Sequence, residues 1–526
     1  MAIDVRQAVV LGCVVGYIAL LFIVGGVGKW VKLKEKTLTD YFRPSKFAPF
    51  WAMWFAMGAN MHTAFCIPGS MGFYYLHGVG FTAHFIWTVG TALIFMYLVG
   101  PRMHLISAKY GHVTLSEMIG DFYKSKWLAA FVALFVSAAN IAYFTANIIG
   151  PATLLSFGTG GLIPFDIAVW LIVIIVIGYT LPFGFRGVFY TDILQGAVML
   201  LATWGAAIFM LSMFNWNTWA LFSKAYEVAP KHLTLPGGAG WFTPQMWFSW
   251  AFFAITIHWG IQPRNYQYYQ LAKSAEDVRK NALWIPIYLS AIYVPVVILG
   301  LATKVLMPTP PATGAWTGPD AAFPTIMAQY APALLWGVLI AGSMAAGQST
   351  LDSDLVAHSG MLVNDVYKAL LKREASQAHY LAVGRIVVLI LGILAGYISI
   401  YAAKLPIVTM LVGMAGTFVM TLLPAVLGAI LPMGRFKITK WGAFLGIVAG
   451  AIVGLVTTFP TTLGLPSWLL NPYGYHSALW TFLANWIVAI LVSLVTPPPP
   501  QDSIERFHAF LDRELKALYP PAKAKA

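Results

Sequence analysis

The sequence predicts an all-α protein that crosses a lipid bilayer many times, and two observations support this fold class. Of the 526 residues, 59% are hydrophobic and only 10% are charged, whereas soluble domains contain about 45–50% apolar and about 25% charged residues. The apolar residues form long unbroken runs, which the alternating strands of a membrane barrel would not give. This composition excludes a soluble enzyme and a nucleic-acid-binding protein. The two cysteines, Cys13 and Cys66, lie in apolar runs and imply no disulfide framework.

Thirteen of the apolar runs are long enough to cross a bilayer core, which is about 30 Å thick and needs about 20 helical residues. The first run does not resemble a signal peptide, because its leader MAIDVRQ contains Asp4 and Arg6 and lacks a net positive charge. The predicted spans cover residues 8–28, 50–76, 79–100, 127–155, 164–183, 188–213, 245–268, 282–306, 333–364, 381–403, 406–432, 440–459 and 477–495.

The basic residues predict how these spans are oriented. When the connecting segments are assigned alternately to the two sides, one side holds 27 of the 32 Lys and Arg residues. Cytoplasmic loops carry such an excess of basic residues. We therefore expect a multi-pass protein of the plasma membrane, with its N-terminus outside and its C-terminus in the cytoplasm.

The second and seventh spans carry helix-breaking residues. Span two contains Gly58, Pro68, Gly69 and Gly72, and span seven contains Gly260 and Pro263. Gly and Pro release backbone groups from the helical ladder, and in lipid such groups are tolerated only where protein or a cavity satisfies them. A simple kink could explain either break alone. However, the two spans are five apart, as expected if spans 2–6 and 7–11 are inverted repeats around a midplane transport site.

These features predict four regions. Residues 1–46 form an extra N-terminal membrane helix and a cytoplasmic loop, and residues 47–433 form a ten-helix transport core with a 5+5 inverted repeat. Residues 434–497 form two peripheral helices, the first with glycines at every fourth position from Gly442 to Gly454, a pattern typical of close helix packing. Residues 498–526 form a polar, partly helical cytoplasmic tail for which we predict no activity.

Span nine concentrates polar groups within the membrane. Ser349 and Thr350 are among several hydroxyl residues in the segment GSMAAGQSTLDSDLVAHSG. Hydroxyl and carbonyl oxygens are hard ligands that suit a small cation such as Na⁺, although such hydroxyls often bond to their own helix instead. We expect Asp352 and Asp354 to lie at the cytoplasmic end of this span as solvated charges. Asp192, near the cytoplasmic start of span six, could be functional or could reach the membrane surface.

Four ordered motifs resemble the sodium/solute symporter family over about residues 5–500. They are GHVTLSEMIGDFYKS after span three, GFRGVFYTDILQG before span six, the stretch from Trp259 to Ser274, and the polar part of span nine. The resemblance implies the inverted-repeat fold typified by the leucine transporter, with one helix before the core and two after it. It also implies a cation-driven transporter that has no catalytic residues and no cofactor other than Na⁺ as coupling ion.

The resemblance implies roles for particular residues. The sodium site would use backbone carbonyls of the broken second span and a carbonyl with two hydroxyls from span nine: Ala59, His62, Ala346, Ser349 and Thr350. Asp192 matches the family acid on the inner cation-exit path. The substrate cavity and its inner gate would be formed by Met61, Phe65, Cys66, His84, Trp87, His258 and Trp259.

The sequence also departs from the family pattern. Met61 and Cys66 replace the polar residues that sugar carriers use, which argues against a sugar as substrate. The family arginine before the A-K-S segment is Tyr268, and Arg264 occupies a position that is usually uncharged. Met61 also stands where proline carriers place an acid beside the cation, which leaves the coupling stoichiometry open.

The combined interpretation is Na⁺-coupled symport of a small organic solute by alternating access, with an amino acid or carboxylate favoured over a sugar. The partners are the solute, Na⁺ and the lipid bilayer, and we predict no nucleic acid and no obligatory protein partner. Two alternatives stay open. The first is proton coupling through His62, His84 or His258, and the second is a transporter-like membrane sensor, against which the short tail argues.

Overall fold

The structure is a computed structural model that describes residues 3–30, 37–43, 47–85, 90, 95–312, 318–402, 417–434 and 436–519. Within these ranges the chain is helical, and the only strand-like pairing is an isolated bridge between Ala48 and Ala272. Eight helices of this part are long and apolar enough to cross a membrane. The protein is therefore an all-helical, multi-pass membrane protein, as the composition predicts.

The α-helices of five residues or more are numbered here in chain order. They are α1 Val5–Trp30, α2 Leu38–Phe42, α3 Phe50–Met61, α4 Ser70–His77, α5 Tyr97–Tyr110, α6 Leu115–Phe122, α7 Lys126–Gly158, α8 Phe165–Ser212, α9 Thr218–Val228, α10 Pro244–Ser249, α11 Pro263–Leu271, α12 Ala275–Leu306, α13 Pro319–Tyr330, α14 Ala333–Met361, α15 Gln377–Ala402, α16 Leu423–Ile430, α17 Lys440–Thr458, α18 Ser477–Val495 and α19 Phe510–Leu518.

Helix α8 contains both the fifth and the sixth predicted spans. Its 48 residues would measure about 72 Å as one straight helix, more than twice the thickness of a bilayer core. The backbone leaves the helical conformation at Gly184, where φ is 56° and ψ is −163°. This is a left-handed conformation that glycine adopts without steric cost. The glycine thus separates the two runs within one continuous segment.

Both predicted helix breaks are present. Helix α3 ends at Met61, and α4 begins only at Ser70 after a π-helical turn at Phe65–Gly69 that contains the non-helical Ile67. Span seven is divided into α10, a π-helical segment Trp250–Thr256, a short turn Ile257–Trp259 and α11, which starts with Pro263. Predicted spans three and eleven include residues outside the described ranges.

Helix α14 lies at the centre of the molecule and packs mainly against α8 and α7. Small residues allow these close approaches. A Cβ atom at Gly347 would lie 2.3 Å from the carbonyl oxygen of Asn147, and one at Gly342 would lie 2.3 Å from the Cβ of Ala202. The polar residues of α14 are buried among the surrounding helices, and Ser349 and Thr350 contact the broken second span.

Glycines also allow α17 to pack closely on α18. A Cβ atom at Gly442 would lie 2.0 Å from the hydroxyl of Ser493, and one at Gly446 would lie 2.9 Å from the Cβ of Ala489. The four-residue glycine repeat therefore allows the close helix packing that its spacing predicts.

The C-terminal segment 501–518 packs on the same side of the protein as α6 and the end of α5. Phe507 is fully buried and stacks on Tyr110, with 5.5 Å between ring centroids. Arg506 donates hydrogen bonds to both carboxylate oxygens of Asp121, at 3.1 and 2.9 Å. Residues 501–518 are thus a folded part of this surface.

Candidate cation and solute site

The candidate cation site lies where α14 crosses the break of span two. The Ser349 hydroxyl donates to the carbonyl oxygen of Ala59 at 3.2 Å and to that of Ala346 at 3.3 Å. The Thr350 hydroxyl donates to the carbonyl oxygens of Asn60 at 3.1 Å and His62 at 3.3 Å. The structure therefore brings together all five residues that the sequence assigns to this site.

The backbone conformation explains how these carbonyls come to face α14. His62 has an extended conformation, with φ −102° and ψ 118°, and therefore ends the helical ladder of α3. The carbonyl groups of the last helical turn consequently point toward α14. Carbonyl and hydroxyl oxygens with no exposure to solvent match the ligand preference of a small hard cation, so Na⁺ fits the residues present.

Asn60 connects this site to a buried ion pair. Its side-chain amide donates to the Ser353 hydroxyl and, at 3.4 Å, to the carbonyl oxygen of Ser349. Its side-chain oxygen accepts a hydrogen bond of 3.1 Å from Nε of Arg264. Nη1 of Arg264 lies 2.7 Å from both carboxylate oxygens of Asp354, and both side chains are fully buried.

The expected positions of Asp352 and Asp354 are wrong. Both acids are fully buried, and the helical segment continues through Leu362–Leu371 rather than stopping near residue 364. Asp352 accepts a hydrogen bond of 2.7 Å from Tyr179, and Asp354 binds Arg264. Hydrogen bonds and an ion pair with residues of other helices offset the cost of burying these two carboxylates. The composition of α14 alone does not reveal such partners.

Asp192 is also fully buried and therefore does not reach the membrane surface. It accepts a hydrogen bond from the Tyr268 hydroxyl, and its other carboxylate oxygen has no hydrogen-bond partner among the described residues. Tyr268 stands where the family arginine is expected. This acid thus faces the interior of the helix bundle, as its predicted role on a cation path requires.

Two of the predicted substrate residues, Cys66 and His84, meet at Tyr293 of α12. The Tyr293 hydroxyl lies 3.0 Å from Nε2 of His84 and 3.3 Å from the Cys66 sulfur, and the His62 ring centroid lies 5.4 Å from that of Tyr293. Met61 is buried at the end of α3. This arrangement offers neutral hydrogen-bonding groups and aromatic surface beside the break of span two.

The remaining predicted residues fall into two groups. His258 and Trp259 are buried directly before the second break, with ring centroids 5.3 Å apart. Phe65 belongs to the π-helical turn of span two, whereas Trp87 lies outside the described residues. Sequence reasoning missed Asn60, Tyr293 and the pairing of Arg264. For the pairing, the one available signal was that Arg264 is a basic residue within an apolar run.

At the opposite end of span two, helix α13 packs against α4. A Cβ atom at Gly72 would lie 1.9 Å from Oδ1 of Asp320 and 3.0 Å from its Cα. Only a glycine therefore allows α13 to approach this closely. Burial of the carboxyl group raises the pKa of Asp320 to about 7.

Comparisons with known proteins agree with this architecture. The sequence profile of the Sodium:solute symporter family matches residues 41–450. The chain is 25% identical over 372 residues to the sodium/pantothenate symporter of Haemophilus influenzae, covering 70% of this chain and 74% of that protein. It is 25% identical over 501 residues to the sodium/proline symporter of Staphylococcus aureus, covering 92% of both chains.

A solved structure of a Na⁺-coupled sialic acid symporter superposes with a TM-score of 0.76 at 18% identity, covering 94% of this chain and 99% of that one. Mhp1, a nucleobase-cation-symport-1 family transporter, superposes with a TM-score of 0.51 at 14% identity, covering 87% and 95%. These likenesses establish the transporter fold. Since the family profile spans most of the chain, the protein belongs to the sodium:solute symporter family and is a multi-pass membrane transporter rather than an enzyme.

Proposed function

We propose that the protein imports a small organic solute together with Na⁺ by alternating access. The observation that carries this proposal is the contact of the Ser349 and Thr350 hydroxyls with the carbonyls of Ala59, Asn60 and His62. Na⁺ would bind first and join α14 to the break of span two. That step would complete a solute site beside Tyr293.

The proposal includes the finer architecture predicted from the sequence. Thirteen helices would cross the membrane, with spans 2–6 and 7–11 as inverted repeats in a transport core of residues 47–433. The N-terminus would lie outside, and the C-terminal tail would lie in the cytoplasm. One repeat bundle would then rock against the other and open the inner path past Asp192 and His258.

The ion gradients are large enough to drive accumulation. One charge moving through 100 mV supplies about 2.3 kcal/mol, and a tenfold Na⁺ gradient adds about 1.4 kcal/mol. The sum of about 3.7 kcal/mol would support an accumulation of about 500-fold for a neutral solute carried with one Na⁺. An amino acid or carboxylate is favoured over a sugar because Met61 and Cys66 offer poor partners for sugar hydroxyls.

The test begins with Na⁺ binding by the purified protein, which needs no knowledge of the solute. A ligand that binds only the folded state raises the melting temperature as its concentration rises. We expect NaCl, compared with choline chloride, to stabilise the wild type. Ser349→Ala and Thr350→Val should each raise the half-saturating Na⁺ concentration by about tenfold or more, which corresponds to about 1.4 kcal/mol for one lost ligand.

Ser343→Ala is the matched control, because Ser343 is a buried α14 hydroxyl that donates to the carbonyl of Ile67 at 3.0 Å, outside the five-residue site. It should leave Na⁺ affinity near the wild-type value. The transport arm measures uptake of labelled propionate, alanine and glucose into proteoliposomes under an inward Na⁺ gradient. Uptake that follows an imposed pH gradient at constant Na⁺ would instead favour proton coupling, and wild-type Na⁺ affinity in Ser349→Ala would refute the proposed site.

A further inference from the structure

The ion pair between Arg264 and Asp354 calls for an explanation beyond stability. Both side chains have no solvent exposure, and Arg264 is the only Lys or Arg side chain in the described part of the chain that is buried in this way. Charges inside a membrane protein are costly and usually serve a function. Moreover, a buried ion pair seldom stabilises a protein more than well-packed apolar residues would.

The guanidinium of Arg264 lies where the two helix breaks meet. Its Nε donates to the side chain of Asn60, two residues before the break at His62. It also lies 5.1 Å from the centroid of the Trp259 ring, directly before the break at Gly260. The charge is therefore located between the two discontinuous spans, where a transported solute is expected to bind.

The pair also reveals what this guanidinium can bind. Nη1 contacts both oxygens of a carboxylate at 2.7 Å, while Nη2 donates to the Tyr143 hydroxyl at 3.0 Å. A planar guanidinium matches the geometry of a carboxylate better than an ammonium group does. Asp354 thus marks a preformed carboxylate-binding position that a free carboxylate could also occupy.

Resting on the proposed symport function, we infer that Arg264 binds the carboxylate of the transported solute and that Asp354 occupies this position when the solute is absent. In this exchange the carboxylate of the solute replaces the carboxylate of Asp354 at the guanidinium group of Arg264. When the inner path opens, the released Asp354 gains water as its new partner. The solute is accordingly a monocarboxylate, because Arg264 supplies a single positive charge and Cys66, His84 and Tyr293 supply neutral contacts for the remainder of the molecule.

The first test compares solutes that differ only in charge. Propionate, lactate and pyruvate are the probes, propionamide and lactamide are the neutral counterparts, and succinate is the dicarboxylate. In proteoliposomes with an inward Na⁺ gradient, at least one monocarboxylate should be taken up. Its KM should be at least about tenfold lower than that of its amide, the difference expected for a charge-assisted guanidinium contact. Equal uptake of amides and acids would overturn the inference.

The second test uses variants of nearly unchanged shape. Asp354→Asn removes the internal competitor and should lower the KM of the monocarboxylate. Arg264→Gln should abolish its uptake. The double variant Arg264→Gln/Asp354→Asn removes both charges, so no buried charge is left without a partner; it should fold and bind Na⁺ but take up no monocarboxylate. Arg506→Gln, which breaks a partly exposed arginine–carboxylate pair in the tail, is the matched control and should transport normally.

Monocarboxylate uptake by the double variant with a wild-type KM would refute the inference, since the pair would then be purely structural. If the single variants fail to fold, the double variant and the comparison of acids with amides still decide the matter. A different result would refute the proposed function, namely that Na⁺ does not raise the melting temperature of the wild type. A protein that binds Na⁺ through Ser349 yet discriminates against every monocarboxylate would refute only the role of Arg264.

Discussion

At the scale of single residues, Asn60 contacts both the candidate cation site and the buried ion pair. Its carbonyl accepts from Thr350, while its side chain holds Ser353 and Arg264. Removing a buried hydrogen-bonding group leaves its partners unsatisfied, at a cost of about 1–3 kcal/mol each. Asn60→Ala should therefore weaken Na⁺ binding by about tenfold or more, although the backbone carbonyl remains.

The measurement is the Na⁺-dependent melting temperature of the purified variant. Asn140→Ala is the control, because the amide of Asn140 donates within its own helix to the carbonyl of Val136. This variant should lose some stability and keep its Na⁺ affinity. Unchanged Na⁺ affinity in Asn60→Ala would mean that its side chain does not position the carbonyls of the break.

Asp320 gives a second prediction at this scale, concerning pH. Burial raises its pKa to about 7 in the folded state, above the ordinary value of about 3.9 in the unfolded chain. The folded protein therefore binds more protons between these two values, so this residue makes stability fall as the pH rises from about 4 to about 7. Asp320→Asn should raise the melting temperature at pH 8 more than at pH 5.

The control for this prediction is Asp166→Asn, since Asp166 also lies in the first turn of a helix but is exposed. Its effect on the melting temperature should be small at both pH values. A shift in Asp320→Asn that is equal at pH 5 and pH 8 would contradict the titration of this carboxyl group.

At the scale of elements, the C-terminal segment shows how a tail becomes part of the fold. It buries Phe507 and Leu511 against the protein and pairs Arg506 with Asp121. Desolvation alone would raise the pKa of Asp121, but hydrogen bonds and charge from His112 and Arg506 hold it below its ordinary value. This pair therefore contributes fully near neutral pH, and its contribution is lost only in acid.

We predict that Phe507→Ala will lower the melting temperature, because truncating a buried Phe costs about 3–5 kcal/mol. Leu518→Ala, at the partly exposed end of the same segment, should change it much less. Limited proteolysis provides the readout for the segment itself, which should be cleaved faster in Phe507→Ala. Equal cleavage in wild type and Phe507→Ala would show that this aromatic contact does not hold the tail.

The same scale explains what sequence alone could and could not predict. The breaks were predictable because Pro68 and Pro263 interrupt the hydrogen-bond ladder of a helix, and lipid cannot satisfy the backbone groups that are released. The five residues of the candidate cation site could be located because the family motifs fix their positions along the chain. The pairing of Arg264 with Asp354 was not predictable, since 90 positions separate two charges on different helices. For the same reason, residue composition could not show that Asp352 is buried against Tyr179.

At the scale of the whole molecule, the strongest remaining prediction is that the two ends of the chain lie on opposite sides of the membrane. The distribution of Lys and Arg predicts an odd number of crossings, with 27 of 32 basic residues on the side of the C-terminus. The two native cysteines, Cys13 and Cys66, can be replaced by alanine to give a background for single reporter cysteines. Ile3 and Arg513 are suitable positions because both are exposed.

In intact cells, a membrane-impermeant maleimide should label Ile3→Cys directly but label Arg513→Cys only after permeabilisation. Lys224→Cys, in the exposed part of α9 between spans six and seven, should behave like Ile3→Cys and serves as an internal reference. Labelling of both ends from the same side would require an even number of crossings. At least one predicted span would then not cross the membrane, and if that span lay between 2 and 11, the two groups of five could not be inverted copies around the candidate cation site.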